Sequence, residues 1–304
     1  MANLKIHKNR ILITGANGLL GQKLMHTFGH DFELHGVGRK TTPNLAGLTY
    51  TSCDITKRNA VRQLLKSFKP SYIINAAAYT DVDGCEEDRE NCWRVNVRGP
   101  EILAEAAKSA GAVLLHVSTD YVFDGESGEY TEESLPNPLG YYGRAKLAGE
   151  NAVIGSGVEY AIVRTMILYG TGVKLRPNFA IWLVEKLSRG EPVRVVDDQY
   201  GHPTLIDDVA LAIRKIVELN KHGFFHVCGS EYINRFDFAL KVAEVFRLDS
   251  ALITPIKTDQ LNQKALRPLN SKFNLDKLTS ELGVKMRGVK EGLETLKQQL
   301  QTNP

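Results

Sequence analysis

A glycine-rich turn lies between a short apolar segment and a helical segment near the start of the chain. Residues 11–24 read ILITGANGLLGQKL, with glycines at 15, 18 and 21. Gly15 allows a tight turn after a strand, Gly18 lets the backbone approach a phosphate, and Gly21 lets the helix pack closely on a sheet. The amide groups at the start of that helix would then face the phosphates of a nucleotide. The spacing is GxxGxxG rather than GxGxxG, and no Gly-Lys-Ser/Thr sequence follows, which argues against a P-loop.

The first half of the chain repeats this alternation of strand and helix. We expect strands at 10–14, 32–37, 48–53, 71–77, 112–118 and 159–165, and helices at 18–28, 56–68, 88–110 and 141–154, with a break near residues 99–100. Several of these strands are apolar along their whole length, as strands covered on both faces must be. Strands that alternate with helices imply right-handed crossovers. The sequence therefore predicts an α/β protein with a Rossmann-type, doubly wound parallel sheet.

The second half of the chain is less regular. It predicts helices at 178–190, 204–220, 235–246 and 289–300 and a strand at 223–229. We therefore expect a nucleotide-binding domain at 1–165 and a smaller, mixed α/β domain that binds substrate, mainly at 166–304. Segments around 190–225 are expected to return to the first domain.

Composition narrows the class of protein further. The chain has 304 residues and a net charge of +3, which gives no reason to expect binding to nucleic acid or to a membrane surface. The first ten residues are polar and basic, without the apolar core of a signal peptide. The four cysteines form no CxxC pair, and no carboxylate set demands a metal ion. We expect a cytoplasmic protein with reduced thiols.

The end of the second strand indicates which dinucleotide is bound. A carboxylate there would hold a ribose 2′-hydroxyl, whereas a basic residue would accept a 2′-phosphate. The sequence has Arg39 and Lys40 and no acid, so we expect NADPH to be preferred, with NADH as the alternative. Asp54 follows the third strand and is expected near the adenine. The predicted cofactor site comprises Gly15, Asn17, Gly18, Leu19, Leu20, Gly21, Arg39, Asp54, Ile55, Ala76, Ala77, Ala78 and Tyr79.

A tyrosine and a lysine lie one turn apart on the helix predicted at 141–154. Tyr142 and Lys146 share one helix face, because residues four apart are neighbours there. A nearby ammonium group lowers the pKa of a phenol from about 10, so that the phenol can protonate a carbonyl oxygen while hydride reaches the carbon. Ser118 and Thr119 follow the fifth strand, at the sheet edge where ligands bind. Together these residues predict a reductase site.

At this point the chain resembles the extended short-chain dehydrogenases/reductases, and within them the dTDP-4-dehydrorhamnose reductase family. The likeness is carried by NAAAYTDVDGCE (75–86), VSTDYVFDG (117–125), NPLGYYGRAKLAGE (137–150), VVDDQYGHPT (195–204) and RPLNS (267–271). The resemblance implies NAD(P)H-dependent reduction of the 4-keto group of a 6-deoxy sugar carried on a nucleoside diphosphate. It also implies a catalytic triad of Thr119, Tyr142 and Lys146. In this family Tyr142 and Lys146 would also bind the cofactor, with Lys146 holding the nicotinamide ribose. Asn96 would support the cofactor site.

The resemblance further implies a set of residues for the sugar nucleotide. They are Thr119, Asp120, Ile167, Asn178, Gln199, His202 and Arg267, the last as a ligand of the phosphates. Related dehydratases have an Asp-Glu pair after the threonine, where this chain has Asp120 and Tyr121, so reduction is favoured over elimination.

One departure from the family pattern leaves an alternative open. Ile167 stands where the reductases typically have a tryptophan that packs on the sugar, so the identity of the sugar is not fixed. The local sequence ILYG (167–170) also resembles the β subunit of methionine adenosyltransferase, a non-catalytic regulatory subunit with the same fold. A regulatory subunit of that kind is the alternative to an enzyme. Separately, we expect the protein to form a homodimer.

Overall fold

The computed structural model describes residues 9–302. The signal-peptide expectation rests on the first ten residues, most of which lie outside this range. The strands are β1 (Arg10–Thr14), β2 (Glu33–Gly38), β3 (Tyr50–Ser52), β4 (Tyr72–Asn75), β5 (Val113–Thr119), β6 (Glu129–Tyr130), β7 (Tyr160–Thr165), β8 (Leu168–Tyr169), β9 (Val193–Val196), β10 (Tyr200–Gly201), β11 (Thr204–Leu205), β12 (Gly223–His226), β13 (Ile233–Asn234), β14 (Ile253–Ile256) and β15 (Lys272–Phe273). The helices are α1 (Leu19–Phe28), α2 (Arg58–Phe68), α3 (Val82–Glu87), α4 (Arg89–Trp93), α5 (Gly99–Ala110), α6 (Tyr141–Gly155), α7 (Phe179–Ser188), α8 (Ile206–Glu218), α9 (Arg235–Phe246), α10 (Asp276–Leu282) and α11 (Val289–Thr302).

Seven parallel strands form the large sheet, in the order β12-β7-β5-β4-β1-β2-β3. The strand order reverses between β1 and β4. Ligands of open α/β sheets bind in the crevice at such a point, beyond the carboxyl ends of the strands. The predicted α/β class with a doubly wound parallel sheet is confirmed.

Apolar side chains cover both faces of this sheet. Side chains of α1, α8 and α10 form a core on one face, and side chains of α2 and α5 form a second core on the other. A third core lies among α7, α9 and α11 with β9 and β14. The helix α8 and the strand β12 both follow residue 165 and nevertheless pack on the large sheet. The boundary between the two domains at residue 165 stays a prediction.

The helix predicted at 88–110 is interrupted earlier than expected. A π-helical turn occupies Arg94–Arg98, and the α-helix resumes at Gly99 with Pro100 in its first turn, where a missing amide hydrogen costs nothing. The sequence analysis also missed α3, α10, the four-residue strands β9 and β14, and the two-residue strands. These short elements carry too few residues for a hydrophobic period to be visible.

Two carboxylates in the acidic segment 81–90 serve as helix caps. Asp81 accepts a hydrogen bond from the Gly84 amide, and Asp88 accepts one from the Asn91 amide. Within residues 9–302, no helix is both long enough and apolar enough to cross a membrane.

Candidate active site

The glycine turn joins β1 to α1 in a conformation that needs glycine. Gly15 has φ 69°, in the left-handed region, and a Cβ there would press on the backbone of Ala76 and Ala77. A Cβ on Gly21 would overlap the carbonyl oxygen of Gly15. Helix α1 has neither a side-chain cap at Gly18 nor an acidic residue in its first turn. Its amino end is therefore available to an anion.

A cavity of about 770 Å³ extends from this turn along the carboxyl edge of the sheet. Its size is that of a typical cofactor site. The predicted residues in its wall are Gly15, Asn17, Gly18, Leu19, Leu20, Gly21, Arg39, Asp54, Ile55, Ala76, Ala77, Ala78, Tyr79, Thr119, Asp120, Tyr142, Lys146 and Ile167. The fold thus brings the glycine turn and the expected catalytic residues to one cavity.

Tyr142 and Thr119 both line the cavity, and the Thr119 hydroxyl donates a hydrogen bond to Asp120 Oδ1 at 3.1 Å. Burial and the carboxylate of Asp120 raise the pKa of Tyr142, and the contact with Thr119 only partly offsets them. The sequence analysis expected Lys146 to lower the pKa of Tyr142. In this structure, burial and Asp120 raise that pKa instead. The phenol is held protonated, which is the form that a proton donor needs. The ring is fixed edge-on to Tyr121, with centroids 5.5 Å apart.

Lys146 ends a chain of buried polar side chains that crosses three strands. Its Nζ donates to the carbonyl oxygen of Val117 at 2.7 Å and lies 3.4 Å from His116 Nε2. The other ring nitrogen of His116 is 3.0 Å from the Asn75 amide, and Asn75 Oδ1 accepts from the Thr14 hydroxyl at 2.6 Å. Thr14, Asn75 and His116 are in register on β1, β4 and β5. This network positions the amine of Lys146 at the end of β5.

Burial lowers the pKa of Lys146 from 10.5 to about 8, which makes folding stability depend on pH. Below about pH 8 both the folded and the unfolded chain carry this proton, so the full cost of burying the charge is present. Between about 8 and 10.5 only the unfolded chain keeps the proton, so stability rises with pH.

We therefore compare the wild type with Lys146→Met, which has no titratable group at this position. The unfolding free energy of the wild type should rise relative to that of the variant by about 2 kcal/mol between pH 7 and 9.5. Urea denaturation at several pH values measures this difference, and parallel curves for the two proteins would contradict the buried-amine assignment.

Two buried hydroxyl groups in the wall of the cavity have no partner among the residues that the structure describes. They are Ser118 Oγ and Thr165 Oγ1, at the carboxyl ends of β5 and β7. A buried polar group without a partner is costly, so such groups at a cavity wall fit a polar ligand. Ser118 was expected at this edge. Thr165, which the sequence analysis missed, ends the predicted strand 159–165 in the same way and could have been found by that signal.

The far end of the cavity carries the residues expected to select the dinucleotide. Arg39 and Lys40 follow β2 and line this end. Asp54 lines it too, and its carboxylate accepts hydrogen bonds from the amide and hydroxyl of Thr56. Asp54 also lies 3.8 Å from Arg94, and together these groups hold the pKa of Asp54 below its usual value against the effect of burial.

Ile167 lies in the wall of the cavity with a strained backbone. Its φ is 46°, a conformation rarely adopted by a β-branched residue. Its side chain packs on Gly201, where a Cβ would lie 2.7 Å from Ile167 Cδ1. Strain of this kind persists where the surrounding structure imposes it and is common at ligand sites.

The structure does not bring five of the predicted residues to the cavity wall. Asn96 is buried, and its amide hydrogen-bonds the backbone N–H and C=O of Tyr79, so it supports the wall from behind. Asn178 caps α7, and the Gln199 amide donates to Thr258.

The other two have partners within the protein. Both ring nitrogens of His202 are hydrogen-bonded to backbone groups, of Gly229 and Phe273, and burial lowers its pKa to about 4. Arg267 pairs with Asp83, its Nη2 2.8 Å from the carboxylate.

Three known proteins show what this chain is similar to. A dTDP-4-dehydrorhamnose reductase of Aggregatibacter actinomycetemcomitans is 34% identical over 300 residues, covering 95% of this chain and 98% of that protein. Methionine adenosyltransferase 2 subunit beta of Rattus norvegicus is 33% identical over 304 residues, covering 95% and 89%. The crystal structure of a dTDP-4-dehydrorhamnose reductase from Bacillus anthracis in complex with NADP is 32% identical, with a TM-score of 0.88 over 96% of this chain and 99% of that one.

The parallel sheet with its glycine turn and these similarities define an NAD(P)H-dependent oxidoreductase of the extended short-chain dehydrogenase/reductase type. The family model described as the RmlD substrate binding domain matches residues 9–302. The chain belongs to this family, which confirms the resemblance found in its sequence.

Proposed function

We propose that this protein reduces the 4-keto group of a nucleoside-diphosphate 6-deoxy sugar with NADPH. The observation that carries the proposal is the meeting of Thr119, Tyr142 and Lys146 with the glycine turn in one cavity. The similarity to dTDP-4-dehydrorhamnose reductases supports the class of substrate.

The cavity fits a nicotinamide dinucleotide on two counts. The uncapped amino end of α1 suits the pyrophosphate, and two hydroxyls at the sheet edge lack partners within residues 9–302. The glycine turn, Ala76 to Ala78 and Lys146 are the residues that would hold the cofactor. When bound in its reduced form, that cofactor supplies the hydride.

The protein's own residues supply orientation and a proton. The Thr119 hydroxyl donates to Asp120 in this structure and would turn its proton to the substrate carbonyl beside Tyr142, and the Tyr142 phenol can donate its proton to the carbonyl oxygen. Lys146 then lies one helical turn from the developing phenolate and can stabilise it. Exclusion of water follows from burial, since all three side chains are less than a tenth exposed.

Two residues of the cavity wall near the expected position of the substrate influence which sugar can bind. Asp120 and Ile167 line the cavity, and the residue after Asp120 is Tyr121 rather than a glutamate. We propose that reduction without elimination follows from this difference. The aliphatic Ile167 offers the sugar a smaller apolar surface than an aromatic ring would.

The test is a steady-state assay of the purified protein with dTDP-4-dehydro-6-deoxy sugars. The proposal expects loss of nicotinamide absorbance that depends on both NADPH and sugar, with a reduced sugar nucleotide as product. Binding of NADPH without turnover of any such sugar would contradict it.

We expect Arg39→Gln to reduce the preference for NADPH over NADH. Arg39 lines the end of the cavity beyond β2 and would pair with a 2′-phosphate, which NADH lacks. A charge-assisted contact of about 1.5–3 kcal/mol implies a loss of roughly 10-fold or more in kcat/KM for NADPH, with little change for NADH. Equal losses with the two coenzymes would refute the assignment of Arg39.

The alternative is a non-catalytic subunit like methionine adenosyltransferase 2 subunit beta, favoured by 33% identity over 95% of this chain. A regulatory subunit need not keep a proton donor, yet the hydroxyl, phenol and amine are all present and face one cavity. The assay above separates the two proposals.

The proposal includes a cytoplasmic location and a homodimer. The four cysteines are free and buried, as is usual in a reducing compartment. The homodimer stays a prediction.

A further inference from the structure

A segment after β8 crosses over the glycine turn and is fastened to it. The buried side chain of Gln22, in α1, accepts a hydrogen bond from the Val173 amide at 2.8 Å. Its Nε2 donates to the carbonyl oxygens of Val173, at 2.9 Å, and of Asn17, at 3.0 Å. One amide group therefore joins the segment to the turn that would hold the pyrophosphate.

A second amide strengthens this connection. Asn44 Nδ2 donates to the carbonyl oxygens of Val173, at 3.3 Å, and Asn17, at 3.2 Å. The Asn44 backbone amide donates to Asn17 Oδ1 at 2.6 Å. The segment is thus held at a defined position over the turn, although it lies far from the turn in sequence.

The segment places two cations at the cavity. Lys174 and Arg176 line it together with the glycine turn, and neither has a carboxylate partner within residues 9–302. The cavity wall contains two carboxylates. Asp54 already lies close to Arg94, and Asp120 lies at the end of the cavity away from Asp54. Lys174 has φ 54°, so its backbone is held in a strained conformation.

We propose that Lys174 and Arg176 bind the pyrophosphate of the dinucleotide at the glycine turn, to which their segment is fastened. This inference rests on the proposed cofactor. The residue before Lys174, Val173, is hydrogen-bonded to Gln22 of α1 and to Asn44, and both of these side chains also hold the carbonyl oxygen of Asn17 in the glycine turn. The pair therefore serves the phosphates that NADPH and NADH share, while Arg39 and Lys40 serve the 2′-phosphate.

The test measures equilibrium dissociation constants for NADPH and NADH by nicotinamide fluorescence, without sugar substrate. Lys174→Gln/Arg176→Gln should weaken binding of both dinucleotides by about 10-fold, because each loses the same charge-assisted contacts. The NADPH-to-NADH ratio of dissociation constants should stay unchanged, and added salt should weaken binding less in the double variant than in the wild type. Arg39→Gln is the matched control and should change the ratio instead.

These binding measurements distinguish failure of this inference from failure of the proposed function. Unchanged dissociation constants in the double variant, or a loss confined to NADPH, would overturn this inference and leave the proposed function standing. A wild-type protein that binds neither dinucleotide would overturn the proposed function and this inference with it. Both substituted residues are exposed, so thermal denaturation should give the wild-type midpoint.

Discussion

Tyr142→Phe is expected to lower kcat by about 100-fold or more, because it removes the proton donor and nothing else. The phenylalanine ring keeps the edge-on contact with Tyr121, and only the hydroxyl is lost. The affinity for NADPH and the thermal midpoint should therefore stay close to those of the wild type. Steady-state kinetics and fluorescence titration measure the two effects separately.

The neighbouring tyrosine provides a matched control. Tyr141 lies outside the cavity wall, and its ring packs under Arg89, 5.1 Å from the guanidinium carbon. Tyr141→Phe removes the same hydroxyl from the adjacent position and should keep full activity. If the two variants turned over equally fast, Tyr142 would not be the donor.

Gly21→Ala is expected to damage both stability and cofactor binding. The new Cβ would overlap the carbonyl oxygen of Gly15, so α1 must move away from the turn. Overpacking of this kind costs about 1–3 kcal/mol, and displacement of the amino end of α1 should weaken NADPH binding by at least about 10-fold. Denaturant unfolding and fluorescence titration at a temperature where the variant is folded give the two values.

Gly155→Ala is the control for the loss of a glycine from a helix. A Cβ at Gly155, the last residue of α6, meets no atom within 4 Å. This substitution should raise stability slightly, by up to about 1 kcal/mol, and leave NADPH binding unchanged. Wild-type stability and affinity in Gly21→Ala would mean that the close approach of α1 to the turn is not required.

The large sheet was predictable because its strands are buried on both faces. Strands such as β1, β4 and β5 read as continuous apolar runs, and the helices between them leave room only for parallel crossovers. The cavity wall followed from the same pattern. Residues at the carboxyl ends of parallel strands share one edge, so Ala76, Thr119 and the glycine turn had to meet there.

Interactions between distant parts of the chain were not predictable in this way. The alignment of Thr14, Asn75 and His116 depends on strand register, which the sequence does not specify across three strands. The contact between His116 and Lys146 joins a strand to a helix and is likewise invisible in the sequence. The position of Lys174 depends on the side chain of Gln22, far away in sequence, and a loop carries no hydrophobic period that would reveal it.

Transfer of the hydride itself tests the central claim most directly. NADPH carrying deuterium at C4, prepared separately with each of its two stereochemistries, is incubated with the protein and a dTDP-4-dehydro-6-deoxy sugar, and the sugar product is examined by NMR. We predict that one of the two labelled coenzymes places deuterium on C4 of the sugar and that the other places none. A protein that binds NADPH but delivers deuterium from neither label to the sugar would contradict the account.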